Sequence, residues 1–209
     1  MPRATIVVAI VLMAAFGLLT LAVYHQWGPV ESADQAVSQQ LQKARDWWPQ
    51  AVAAMHTVTH LGAPSLWWTV HIVTVAGLLI CRRIRSAFFV TITAGTGGAV
   101  TTGLKHFVGR ERPDWPDPVA LAEGFAFPSG HTTGAAIGIS VLLTLLLPRF
   151  SGGWRRLLVL VGVVVIVAVA SSRVIIGVHW TSDVLGGLLF SAAWVLLMRT
   201  LFFPGRHAA

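Results

Sequence analysis

The sequence holds no asparagine, one cysteine, one tyrosine and two lysines among its 209 residues. Without Asn there is no N-glycosylation acceptor. With Cys81 alone there is no intrachain disulfide and no cysteine-rich metal cluster. Charge is scarce too: 11% of the chain is Asp, Glu, Lys or Arg, against about 25% in soluble globular domains. A water-soluble domain is thus not expected. Disorder is excluded by the same composition, because it requires low hydrophobicity and high charge, whereas 55% of this chain is hydrophobic and its mean hydropathy is +0.72.

What is abundant is long apolar runs. A membrane helix needs about 20 mostly apolar residues to cross about 30 Å of hydrocarbon. Such runs occupy about 4–24, 64–81, 86–104, 130–148, 157–176 and 180–203. The first follows Arg3 and could be mistaken for a signal peptide, but it is long for one and no small-x-small cleavage site follows, so a retained span is expected. Six spans with short connections predict an all-α, integral-membrane six-helix bundle, with 1–209 as a single membrane domain.

The charges between the runs predict an orientation. Arg3, Arg82, Arg83, Arg85, Arg149, Arg155, Arg156, Arg199 and Arg206 fall on one side, with no acid among them. The other side takes Lys43, Arg45, Lys105, Arg110, Arg112 and Arg173 with all eight acids: Glu31, Asp34, Asp46, Glu111, Asp114, Asp117, Glu123 and Asp183. The positive-inside rule then makes both termini cytoplasmic and puts the acidic side outside, in a plasma or inner membrane. The net charge of +7 is read as topology, and no nucleic-acid partner is expected. Thirteen Arg against two Lys, with no Asn, points to a GC-rich genome and hence a bacterium.

The first outer segment, 25–63, contains Val37, Leu41, Ala44 and Trp48 at helical spacing. An amphipathic helix over 33–50 is expected, either lying on the outer surface with Trp47 and Trp48 at headgroup level or packed over the bundle. Gly95, Gly97, Gly98 and Gly103 are expected to permit close helix packing.

Two familiar patterns fail. Gly98 and Gly103 have P-loop spacing, but Leu104 precedes Lys105 and His106 follows it, so no nucleotide site is expected. His56 and His60 sit four apart, yet Thr57 stands where a zinc protease needs Glu, and polar interfacial histidines are the better reading. His25, His71 and His207 stand alone.

The remaining ionisable residues gather at one level, the outer ends of spans three to six, where such groups are costly and tend to be functional. Lys105 ends the third span and Arg112-Pro113 follows. Pro128-Ser129-Gly130-His131 leads into the fourth. Ser172-Arg173 ends the fifth, and His179 and Asp183 open the sixth. On a helix, residues four apart share a face. This set suits binding a phosphate and breaking its ester bond. Lys105, Arg112 and Arg173 supply charge for the equatorial oxygens, the arginines as forked donors. Gly130 permits close backbone approach, and amides around 129–131 at a helix start form an anion site. One histidine serves as nucleophile, oriented by the carboxylate, and the other protonates the leaving alkoxide. The charges are built in, so neither metal nor cofactor is expected. Arg110 is read as a headgroup anchor.

At these residues the chain resembles the type 2 phosphatidic acid phosphatase family of membrane lipid phosphatases. The family signature is Lys-x6-Arg-Pro, Pro-Ser-Gly-His and Ser-Arg-x5-His-x3-Asp, and every position is matched, in order, across 105–183. The resemblance implies a helical bundle with its site at the outer membrane face. It implies that His179 attacks phosphorus to give a phosphohistidine and that Asp183 orients it. It also implies that His131 protonates the leaving group and then activates water, while Lys105, Arg112, Ser129, Gly130 and Arg173 hold the phosphate. The expected partners are the bilayer and a lipid phosphate or diphosphate. Phosphatidate, phosphatidylglycerophosphate and polyprenyl diphosphate all fit, since interchangeable apolar residues hold the tail. The family also includes soluble vanadium haloperoxidases, against which the spans count. Lipid phosphotransferases share the signature. A non-catalytic anion transporter is the reading from another class, but the inverted repeats and mid-membrane broken helices common in transporters are missing.

Overall fold

The computed structural model describes residues 2–115, 118 and 120–204, without the side chains of 2 and 44–46. Asp117, Arg206 and His207 lie outside the described residues. The architecture is all-α, with no strand among the described residues. The helices are α1 (Pro2–Tyr24), α2 (Gly28–Trp47), α3 (Pro49–Val58), α4 (Pro64–Ile80), α5 (Ile84–Val108), α6 (Gly130–Leu146), α7 (Gly152–Ile175) and α8 (Thr181–Phe202), with 3-10 turns at Thr59–Gly62 and Leu147–Arg149. Six helical stretches are long and apolar enough to cross a membrane. The protein is a six-transmembrane helix bundle.

α8 runs against α1, α5, α6 and α7, and α6 also touches α4 and α5, so these two helices form the bundle centre. Their buried faces meet in a core of Phe16, Phe89, Phe127, Val141 and Phe190. Phe16 lies over Phe127 with ring centroids 6.2 Å apart and planes inclined by 7°. α6 accepts α4 closely only because Gly138 has no side chain: a Cβ there would stand 1.9 Å from Trp67 Cε3. The outward faces are apolar, as a hydrocarbon solvent requires; Ile10, Leu18, Ile72, Leu160 and Val164 are exposed.

Several boundaries differ from the sequence reading. The apolar stretch expected over 64–81 is the second half of a 32-residue one, Pro49–Ile80, in which a 3-10 turn joins α3 to α4. α5 continues past 104, because Lys105 and His106 are compatible with helix. It stops at Gly109, whose φ of 62° is left-handed and whose N–H reaches back to Lys105 O. Of the four glycines expected at a packing face, only Gly97 and Gly98 have a neighbour, Ile137 and Trp68 respectively; Gly95 and Gly103 face open space.

α2 packs over the bundle against α7 and α8. Its apolar stripe is only partly inward: Leu41 sits against Ala170, Val174 and Val184, whereas Val37 and Trp48 are exposed. The buried residues include Asp34 and Ser38. A carboxylate facing the bundle must be paired. Its partners lead to the candidate site.

Candidate active site

The alternation of the helices brings four ends together: the C-termini of α5 and α7 and the N-termini of α6 and α8. Lys105 lies in the last turn of α5, Arg173 in that of α7, Gly130 and His131 in the first turn of α6 behind Ser129, and Asp183 in the first turn of α8. The 109–129 segment supplies Arg112 and is pinned by the Ala126 N–H on Arg110 O at 2.8 Å. All eight residues expected at the site therefore meet at one end of the bundle.

His179 and Asp183 form the buried centre. Asp183 is fully buried, and its Oδ2 lies 3.2 Å from His179 Nδ1 and accepts the Trp180 N–H at 2.9 Å. Burial pushes the His179 pKa down to about 4; the hydrogen bond and charge of Asp183 act the other way but are outweighed, and the Arg112 and Arg173 cations reinforce burial. At neutral pH the imidazole is neutral, so its contact with Asp183 is an N–H donated to a carboxylate rather than an ion pair. That tautomer leaves Nε2 with a free lone pair, the requirement for a nucleophile.

The lone pair is covered. Arg112 Nη1 lies 3.0 Å from His179 Nε2 and donates to Val178 O at 2.8 Å. Its Nε donates to Gly124 O, and its Nη2 to Glu123 O and Phe125 O. Burial lowers the Arg112 pKa, with the Asp183 charge opposing. Lys105 Nζ donates to Phe125 O at 2.6 Å and is within electrostatic reach of Arg112, Arg173 and Asp183. Arg173 Nη1 donates to Thr59 Oγ1 at 2.7 Å, and its buried Nε has no hydrogen-bond partner. An unmet guanidinium N–H beside two other cations is a donor set suited to an anion. His131 lies within electrostatic reach of Arg173, His179 and Arg112. The Ser129 amide, expected among the anion-binding amides, instead donates to Asp183 O at 3.0 Å. The amides of the first α6 turn have no intrahelical acceptor. Among the described residues no group of His, Cys, Asp and Glu could hold a metal ion.

Arg110 corrects the sequence reading. It is no headgroup anchor: its side chain is 13% exposed, with Nη1 2.8 Å from Asp183 Oδ1 and Nη2 2.7 Å from Asp34 Oδ2. Asp34 also accepts the Ser182 N–H at 2.9 Å and the Ser182 hydroxyl. The relay Asp34–Arg110–Asp183 thus fixes the carboxylate that fixes His179, making Arg110 a positioning residue. Neither Asp34 nor Thr59 was singled out from the sequence, since each belongs to the first outer segment and finds its partner only in the fold. Arg110→Gln should lower kcat about 10- to 100-fold, the usual cost of an outer partner, with KM little changed, and Arg110→Lys should restore part of it. A folded Arg110→Gln protein with wild-type kcat would rule the relay out.

A helical membrane bundle with this phosphate-suited constellation at one end defines a class, and comparison with known proteins agrees. The family model of the PAP2 superfamily matches residues 86–206. Phosphatidylglycerophosphatase B of Bacillus subtilis (strain 168) is 33% identical over 174 residues, covering 82% of this chain and 84% of that protein. Decaprenylphosphoryl-5-phosphoribose phosphatase of Mycobacterium tuberculosis is 28% identical over 147 residues, 69% of this chain and 76% of its own. The crystal structure of a transmembrane PAP2-type phosphatidylglycerolphosphate phosphatase from Bacillus subtilis superposes with a TM-score of 0.84 at 28% identity, covering 96% of this chain and 98% of that one. The chain belongs to the PAP2 superfamily. It is a multi-pass membrane hydrolase of phosphoric monoesters or diphosphates.

Proposed function

We propose that the protein dephosphorylates a membrane lipid, with phosphatidylglycerophosphate the first candidate substrate, through a phosphohistidine on His179. The observation that carries this reading is His179 itself, neutral, oriented through Nδ1 by Asp183 and flanked by the Arg112 and Arg173 cations. His179 Nε2 attacks phosphorus as the bond to the lipid oxygen breaks. His131 gives its proton to that oxygen. Water then attacks the phosphohistidine, His131 takes the water's proton, and inorganic phosphate leaves with His179 restored. Lys105, Arg112 and Arg173, with Ser129 and the Gly130 backbone, hold the phosphoryl oxygens and offset their charge. The whole-length likeness to a phosphatidylglycerophosphatase supports the substrate choice.

Activity on long-chain phosphatidylglycerophosphate should persist in EDTA and be inhibited competitively by vanadate. Glycerol phosphate lacks the chain-binding energy that positions the scissile bond, so its kcat/KM should be at least about 100-fold lower. Phosphatidate and a polyprenyl diphosphate complete the panel. Complete loss of rate in chelator sinks the metal-free site, and equal rates on long-chain and soluble esters sink lipid specificity.

We place the catalytic end on the outer face of the plasma or inner membrane, with both termini cytoplasmic, because the arginine-rich ends lie opposite it. Cys81 is exposed at the arginine-rich end, and Asp114 is exposed near the site. A membrane-impermeant thiol reagent on intact cells should label a cysteine introduced at Asp114 and spare Cys81. The reverse pattern inverts the topology.

A further inference from the structure

Two histidines that the catalytic chemistry leaves unused stand at the catalytic end of the bundle. His56 lies in the last turn of α3 and His60 in the 3-10 turn Thr59–Gly62. Both are exposed, and their rings meet edge to face with centroids 5.7 Å apart. The sequence alone marks them as interfacial polar residues, but the fold sets the turn that carries His60 against α6 and α7.

That packing is close. A Cβ at Gly62 would stand 3.1 Å from His131 Cβ and 2.5 Å from Val169 Cγ1, so the turn lies backbone-first on both helices. Trp67 Nε1 donates to Leu61 O at 2.9 Å and holds the turn from α4. Its first two residues then face different ways. Thr59 is buried and accepts the Arg173 guanidinium at 2.7 Å, whereas His60 stays exposed and within electrostatic reach of His131.

In-line displacement puts the attacking and leaving groups on opposite sides of phosphorus. With His179 attacking and His131 protonating the leaving oxygen, an exposed group beside His131 lies beyond that oxygen, where the leaving group continues. The candidate lipids differ there. In phosphatidylglycerophosphate a second phosphate, a diester anion, follows across a single glycerol unit. In phosphatidate the leaving glycerol carries only acyl esters. We infer that His60, backed by His56, binds the diester phosphate of phosphatidylglycerophosphate on the leaving side and so selects that lipid over phosphatidate. An imidazole N–H can donate to a phosphate oxygen whether the ring is neutral or charged. The inference rests on the roles proposed for His179 and His131.

The test is the ratio of kcat/KM for phosphatidylglycerophosphate to that for phosphatidate, measured on the full chain in mixed micelles; a ratio cancels differences in folded fraction. His60→Ala should lower it about 5- to 10-fold, the scale of a hydrogen bond to a charged group at an exposed site. The loss should appear as a higher KM for phosphatidylglycerophosphate, because the diester phosphate takes no part in the reaction. His60→Lys should hold the ratio near the wild-type value, and His60→Glu should depress it below that of His60→Ala. An unchanged ratio in His60→Ala overturns the proposal, whether both rates persist or both fall; in the second case His60 would act through His131 or the fold rather than on the lipid. A ratio that falls equally in all three variants marks lost shape, not lost anion recognition, and also overturns it. These results leave the lipid phosphatase reading standing. Wild type that hydrolyses neither lipid removes that reading and this inference together.

Discussion

His179→Ala should reduce turnover to background, a loss of roughly 10⁴-fold or more, as removing a covalent nucleophile does. The anion and cations around it cannot replace it: Asp183 is fully buried and occupied by three donors, and Arg112 and Arg173 are cations. Rapid acid quench of the wild type during turnover should trap an acid-labile phosphoenzyme, and His179→Ala should trap none. The acid side of the pH profile makes the same assignment. Protonation removes the Nε2 lone pair, so activity is present above the His179 pKa and lost below it. With that pKa near 4, kcat/KM should hold well below the ordinary histidine value of about 6.5 and fall only as the pH approaches 4. An acid limb at the ordinary value, or wild-type rates in His179→Ala, would remove His179 from the chemistry.

Asp183→Asn should cost about 10³- to 10⁴-fold in kcat, the scale seen when the carboxylate behind a catalytic histidine is made neutral. Three effects act together. The amide can donate to Nδ1 and favour the wrong tautomer. The phosphohistidine loses the negative charge that stabilises it. Arg110 keeps only Asp34 as counter-charge in a buried setting, which also lowers stability. Thermal unfolding separates the last effect from the first two: KM for the lipid should change little in protein that remains folded. A folded Asp183→Asn enzyme within tenfold of wild type would dissociate His179 from its carboxylate.

The site was legible from sequence where chemistry demands particular residue types at short spacing. His179 and Asp183, four apart, were expected on one helical face; they do meet, but His179 lies ahead of α8, which begins at Thr181, so the contact crosses the helix start. Pro128–His131 had to open a helix because an apolar run follows. The alternation of spans then put Lys105 and Arg173 at the same level. Long-range pairings were not legible. Arg110 and Asp34 are 76 residues apart, and Arg173 and Thr59 are 114 apart, so nothing local marks either as a pair. The same limit explains α2. Its amphipathic pattern announced a helix but left open whether it lies on the outer surface or over the bundle, and an ion pair formed only in the fold turns Asp34 inward. Helix ends followed chemistry that hydropathy does not see: Gly109 stops α5, and a cation at 105 does not.

Arg112 leaves one consequence at the reacting atom. Its guanidinium donates to the lone pair with which His179 would attack, so the nucleophile is stoppered by one of the cations proposed to bind substrate. A neutral molecule offers that guanidinium no reason to move, whereas a phosphate dianion competes for it strongly. The same group then becomes a key that only polyanions turn: the act of being recognised uncorks the histidine, and between turnovers it stays inert to the uncharged lipids drifting past.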